Sequence, residues 1–476
     1  MLRLRSIAIV SLALVGATPL AARTQQQTTA PVAAPRDFLS DAEILSIIRQ
    51  RVDDKRSAGI VVGVLEPDGR TRVVAYGDAG PGQPALDANT VFEIGSITKV
   101  FTGTLLAQMS EEGKVRLDDP VQKYLPAGVT VPARGGKTIT LVSLAEQNSG
   151  LPRLPSNLRP ADQTNPYADY SVQQMYDFLS GYQLTRDPGA QFEYSNLGVG
   201  LLGHALARAA GTSYEDLVRV RILAPLGMTH SSISSTPWMK SHLALGHDEQ
   251  GKVVANWDIP TLAGAGAIRS TTDDMLKFAA ANLHPERGPL QRAMALAQRE
   301  RADAGGRKIG LNWITIHAPG GDPIVWHNGG TGGYRTFIGL QPSRKRGVVV
   351  MTNSGGAGAD DIGMHLLNPA LPLAPRPTPL KQRVAIDVGA DVLGAYPGTY
   401  QLAPSFAIEV TLKDGALYGQ ATGQQAFRLW PETQSDFFLK EVDAQISFVR
   451  DAQGTVTDLV LHQNGQNVKG PKVQKP

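Results

Sequence analysis

The sequence predicts an α+β fold: one antiparallel sheet flanked by helices, an all-helical lobe in the middle of the chain, and a small C-terminal antiparallel β domain. Three observations predict it. Strand patterns stand on both sides of a long helical stretch, four prolines crowd into Leu371–Pro379, and alternation of period two returns beyond them. At 476 residues the chain is also too long for one ordinary domain.

Arg3 and Arg5 precede an apolar run, 7–17, which is followed by Pro19 and the small residues Ala21 and Ala22. That is the layout of a secretory signal, and the run is too short to remain as a membrane anchor. Residues 1–22 are therefore expected to be a signal peptide and 23–37, rich in Gln, Thr, Ala and Pro, a flexible leader. The expected location is periplasmic or secreted, with no stable membrane span after the signal is removed.

Ser40 then caps a helix carrying Ile44, Ile47 and Ile48. Two alternating runs, 60–65 and 71–75, meet through Pro67-Asp68-Gly69 as a hairpin. A helix from Ser96 carries Val100, Phe101, Leu105, Leu106 and Met109 and ends at Gly113. Helical patterns follow at 138–147, 173–179, 197–210, 214–222 and 271–283, strand patterns at 309–316, 324–326, 337–340 and 348–351, and a closing helix at 361–367. The expected division is a catalytic domain over 38–368, a Pro-rich linker over 369–385, and a small β-sheet or barrel domain over 386–476 with no cluster of catalytic side chains.

Composition removes several functions. A net charge of +3, with no basic run interleaved with aromatics, argues against nucleic acid. The absence of cysteine excludes disulfides, thiolate metal sites and a cysteine nucleophile, and the nine histidines include no His-Glu-x-x-His. Gly198–Gly203 matches a dinucleotide fingerprint, but no apolar strand leads into it, so close packing of a helix is expected there. No Gly-x-Ser-x-Gly occurs, which argues against a nucleophile elbow.

Three stretches carry chemistry. In Phe92-Glu93-Ile94-Gly95-Ser96-Ile97-Thr98-Lys99, a hydroxyl at a helix start and an amine three residues on share one face. A serine is a poor nucleophile at its own pKa, so a neighbouring amine matters. In Tyr194-Ser195-Asn196, residues two apart in an extended loop project a phenol and an amide together. A cationic lysine nearby would push the phenol's pKa down and make Tyr194 a base for Ser96. In Trp326-His327-Asn328-Gly329-Gly330, glycines end an apolar strand and leave it bare for a peptide-like substrate, with His327 offering a donor or a positive charge.

In the order Ser-x-x-Lys, Tyr-x-Asn, His-x-Gly, the chain resembles the class C β-lactamase and serine DD-peptidase superfamily over roughly 40–367. The resemblance implies the β-lactamase/transpeptidase-like fold and an exported serine hydrolase acting on β-lactams or D-amino-acid peptides. It implies that Ser96 forms an acyl-enzyme, that Lys99 and Tyr194 move the protons, and that the N–H groups of Ser96 and Gly330 form an oxyanion hole. It further implies that Asn196 holds the substrate amide, that His327 and Asn328 receive the substrate carboxylate, that Gly329 also binds substrate, and that no metal or organic cofactor is needed. The expected partner is a small molecule, a β-lactam or peptidoglycan-type peptide. Class C enzymes usually have Lys-Thr-Gly where this chain has His327-Asn328-Gly329, the variant of certain DD-peptidases, D-aminopeptidases and esterases. An esterase for short acyl esters and a non-catalytic penicillin-binding sensor are the alternatives.

Overall fold

Strand Gly59–Leu65 is buried along its whole length, as a strand must be when both faces of its sheet are covered. In the computed structural model it pairs antiparallel with Thr71–Gly77 on one side and Arg346–Thr352 on the other. The residues described are 38–318, 320–356, 358–376, 383–403, 406–422, 426–440, 444–463 and 466–473, so the expected signal peptide and leader, and part of the linker, lie outside them. From Arg346–Thr352 the sheet continues through Arg335–Gln341, Ile324–Gly330, Ile314–Ile316, Lys308–Ile309 and Ala302–Asp303, giving eight antiparallel strands drawn from both sides of the helical stretch. The run 309–316 was expected as one strand. It breaks into two because Asn312 adopts a φ of 66°, a left-handed turn that asparagine tolerates.

Helices Asp41–Asp53 and Asp360–Leu367 cover one face of this sheet through Ile44, Ile48, Ile362 and Leu366. Helices Thr98–Glu111 and Thr272–Asn282 cover the other, with Phe101 stacked on Phe278 at 4.0 Å between ring centroids. Thr98–Glu111 is buried almost all round, which is why its sequence is not clearly amphipathic. The helical lobe contains Leu141–Ala145, Val172–Gly181, Asn196–Ala210 and Tyr214–Val218. In Asn196–Ala210 the small-residue run has the expected packing role: a Cβ on Gly200 would lie 2.6 Å from Leu262, and one on Gly203 2.9 Å from the Gly264 Cα.

The chain divides into two compact units, one ending at Ala374 and one beginning at Pro375. In the second unit, eight strands from Gly398–Ala403 to Gln466–Val473 pair in sequence, and the last pairs back onto the first through Thr399 and Tyr400. The expected small sheet or barrel is thus a closed barrel. Its interior is filled by Tyr400, Ile408, Val410, Leu429, Phe437 and Phe448, with Tyr396 stacked on Phe448 at 4.1 Å. Among the described residues no helix is long and apolar enough to cross a membrane.

Candidate active site

Strand Val91–Glu93, paired with Arg269–Thr271, delivers the chain to Gly95. Gly95 takes a φ of +50°, and a tight turn, Gly95–Ile97, carries Ser96 just ahead of helix Thr98–Glu111. Two glycines let the end of strand Ile324–Gly330 lie against this turn. A Cβ on Gly95 would stand 2.6 Å from the Gly330 nitrogen, and one on Gly329 would strike the Ile94 carbonyl. Thr336 Oγ1 fixes the approach by donating to that same carbonyl at 2.9 Å. The backbone nitrogens of Ser96 and Gly330 are thereby brought to the two sides of one turn.

Lys99 is fully buried and its Nζ has three neighbours: Ser96 Oγ at 3.0 Å, Asn196 Oδ1 at 2.8 Å and the Ala265 carbonyl at 2.6 Å. Burial, and secondly the charge of Arg153, hold its pKa well below the usual lysine value. A neutral amine has two N–H bonds and one lone pair. Asn196 Oδ1 and the Ala265 carbonyl only accept, so once Lys99 gives up its proton they take the two remaining N–H groups and the lone pair faces the Ser96 hydroxyl.

The Tyr194 loop is pinned from the segment 147–153. Gln147 Oε1 accepts from Ser195 N at 2.7 Å, the Arg153 carbonyl accepts from Asn196 N at 3.0 Å, and Ser195 Oγ caps helix Asn196–Ala210 by accepting from Gly198 N at 2.8 Å. Lys99 Nζ lies 4.8 Å from the centroid of the Tyr194 ring. The expectation that lysine would lower this phenol's pKa is corrected. Burial pushes it up to about 12, against the opposing effect of a hydrogen bond with Ser96, so Tyr194 keeps its proton.

His327 also differs from expectation. It is only 1% exposed, and burial, followed by the charge on Lys99, pushes its pKa down to about 3. Its Nδ1–H donates to the Asn328 carbonyl at 2.6 Å. The ring is a neutral wall behind Tyr194, with 6.4 Å between centroids, and its N–H is already spent on Asn328, so it offers neither the donor nor the positive charge that were the expected alternatives. Asn328 spends its amide on Asp360 Oδ2 at 2.6 Å. Beyond Trp326 the strand has no paired neighbour on its Ile314–Ile316 side, so His327–Gly330 forms a bare edge among the described residues.

Ser96, Tyr194, Asn196, Asn328, Gly329 and Gly330 line one cleft of about 470 Å³ together with Arg153, Tyr167, Trp257, Thr331 and Arg335. That is within the roughly 300–1,000 Å³ of small-molecule sites. A smaller recess beside Ser96 is walled by Ile259, Leu262, Ala265 and Gly266.

The family description Beta-lactamase matches residues 44–368 of this chain. The chain belongs to the β-lactamase family. Membership makes it a serine hydrolase, and the second unit matches a domain of unknown function, DUF3471, over 382–472. Among β-lactamase-family relatives it is 32% identical over 310 residues to the D-alanyl-D-alanine-carboxypeptidase/endopeptidase AmpH of Escherichia coli, covering 60% of this chain and 78% of AmpH. It is 29% identical over 352 residues to a β-lactamase of Pseudomonas fluorescens, covering 67% of this chain and 94% of that protein. The crystal structure of a β-lactamase/D-alanine carboxypeptidase from Yersinia pestis superposes with a TM-score of 0.60 at 27% identity, covering 68% and 97% of the two chains.

Reasoning from the sequence missed five residues that the fold brings to the cleft: Arg153, Tyr167, Trp257, Thr331 and Arg335. It also missed a support for one of them. Glu93, 3% exposed, accepts from Trp257 N at 2.9 Å and pairs with Arg269 at 3.3 Å, while Arg269 also donates to the Trp257 carbonyl at 2.9 Å. A lone acid inside the apolar run Val91-Phe92-Glu93-Ile94 is the signal that could have found it, because a buried carboxylate needs a partner.

Proposed function

We propose that this protein is an exported serine hydrolase that forms an acyl-enzyme with β-lactams or D-amino-acid peptides. Ser96 attacks the carbonyl carbon, and the Lys99 lone pair takes the hydroxyl proton as the new C–O bond forms. The oxyanion is met by the N–H groups of Ser96 and Gly330. Tyr194, which keeps its proton, passes it to the leaving nitrogen or oxygen and is reprotonated from Lys99; water then releases the acyl group. Asn196 orients both Lys99 and the substrate amide, and the bare edge His327–Gly330 accepts an extended peptide as an added strand.

One observation carries this reading: a lysine amine, fully buried and without a carboxylate partner among its contacts, stands 3.0 Å from the Ser96 hydroxyl. The names of the relatives, a carboxypeptidase/endopeptidase and a β-lactamase, support the substrate class. The arginine-led apolar run at 7–17 supports export. The apolar recess beside Ser96 favours a small group there, which suits a D-alanyl methyl and equally a short acyl ester.

Intact-mass analysis with a fluorescent penicillin tests the chemistry. The wild type should gain one adduct and Ser96→Ala none; a label that survives the substitution removes Ser96 from the mechanism. Turnover of nitrocefin, a D-Ala-D-Ala peptide and a short p-nitrophenyl ester, measured side by side, separates lactamase, peptidase and esterase.

A further inference from the structure

Neither Lys99 nor His327, both buried, lines the cleft, and the cationic side chains that do are Arg153 and Arg335. They stand on different supports. Arg153 belongs to the helical lobe, in the segment that pins the Tyr194 loop, whereas Arg335 opens strand Arg335–Gln341 and is paired with Gly330. The Arg153 side chain is exposed; its guanidinium carbon lies 5.1 Å from the centroid of the Tyr194 ring, and no hydrogen bond or ion pair holds it among the described residues. Arg335 Nη1 donates to the carbonyls of Thr331 at 2.8 Å and Tyr334 at 3.0 Å. These carbonyls orient the fork without cancelling its charge.

No cleft-lining residue is an Asp or Glu. Glu249 and Asp360 act on Arg335 only through space, and Asp360 is already engaged by the Asn328 amide. Two guanidiniums on separate walls of one open cleft lined by no acid repel each other and draw in negative charge, and a planar fork matches a carboxylate in two parallel hydrogen bonds.

We propose that the cleft selects a dianionic substrate, in which one carboxylate on the leaving group and a second on the acyl group are held separately by Arg153 and Arg335. This rests on the serine hydrolase reading and names the substrate class of that same site. A peptide whose acyl side carries a free side-chain carboxylate has this form.

The test compares acylation of the full chain by substrates that differ in one carboxylate. Carbenicillin adds a carboxylate to the acyl side of benzylpenicillin, and benzylpenicillin methyl ester removes the one on the leaving side. The wild type should acylate at least ~10-fold faster with the more anionic member of each pair, the worth of one charge-assisted contact. Arg153→Gln and Arg335→Gln should each bring one of the two ratios close to one and keep the other. Arg335→Lys, which retains charge but not the fork, gives an intermediate ratio and serves if Arg335→Gln does not fold. Wild-type ratios near one, or ratios unmoved by both arginine substitutions, overturn the proposal while adduct formation at Ser96 leaves the serine hydrolase reading intact. If penicillins do not react, mono-p-nitrophenyl succinate against p-nitrophenyl butyrate makes the acyl-side comparison. Should neither class label Ser96, the proposal falls together with the reading beneath it.

Discussion

A lysine amine taken out of water with no carboxylate beside it holds its proton weakly, and Lys99 is in that position. Acylation should therefore rise with pH as Lys99 loses its proton, and Lys99→Arg, whose side chain cannot deprotonate, should lower the acylation rate constant at least ~100-fold at every pH, read by stopped-flow with nitrocefin. A profile that survives the arginine would assign the base elsewhere. His327 gives a second prediction, on stability. Its pKa falls from the ordinary 6.5 to about 3 on folding, so the unfolded chain binds one proton more than the folded chain between those values. The stability it contributes is complete above pH 6.5 and is lost as pH falls toward 3, with a slope of up to about 1.4 kcal/mol per pH unit. His327→Gln should remove one proton's worth of that slope in urea titrations between pH 6.5 and 4. An unchanged slope would mean that the ring is reached by water. At this scale the sequence revealed the pair Ser96 and Lys99, because three residues on a helical turn are a local matter. It did not reveal how far burial moves the pKa of Tyr194 or of His327, because burial is decided by segments distant in the chain, including Arg153 and Ala265.

Elements are placed by what they must not carry as much as by what they do. The strand end at Gly329 meets the Ile94 carbonyl only because no Cβ intervenes. Gly329→Ala should push the Gly330 nitrogen away from the Ser96 turn, lowering acylation by ~100-fold or more while costing about 1–3 kcal/mol of stability; a variant that acylates normally would show that the turn can yield. The Glu93–Arg269 pair supports another part of the cleft, the Trp257 segment. A buried ion pair is a weak source of stability, so its value lies in the Trp257 backbone that both members grip. Glu93→Gln removes the buried partner of Arg269, leaving it the Asp258 carboxylate at 3.2 Å, and should cost about 1–3 kcal/mol. Adding Arg269→Met should recover much of the melting temperature but not the acylation rate, and a double variant with full activity would reduce the pair to a structural accident. The strands with clear alternation, such as 60–65 and 348–351, were legible in the sequence, and so were the capped helices. Arg269–Thr271 was not, being three residues long, and helix Pro289–Gln298 was not read from its pattern either. Sheet order was legible only as a plan, since pairing of Gly59–Leu65 with Arg346–Thr352 depends on closing the whole intervening chain.

At the scale of the molecule, the two units have separate cores: Val61, Phe101 and Ile338 belong to one of the first unit's clusters, Ile44 and Phe337 to its other, and Tyr396 and Phe448 to the second unit's. The boundary after Ala374 falls among the crowded prolines, whereas closure of the barrel was not legible, because it turns on a single pairing between the first and last strands. Separate cores predict separate melting. Calorimetry of the full chain should give two transitions, and the smaller should carry about 60–80 kcal/mol, the enthalpy typical of a domain of about 100 residues. A ligand stabilises only the cooperative unit it binds. A covalent penicillin adduct at Ser96 should therefore raise the larger transition by several degrees and leave the smaller where it was. If both transitions rose together, or if only one were seen with or without the adduct, the barrel would be energetically part of the catalytic unit, and changes in its interior, such as Phe448→Ala, would then have to appear in the acylation rate as well.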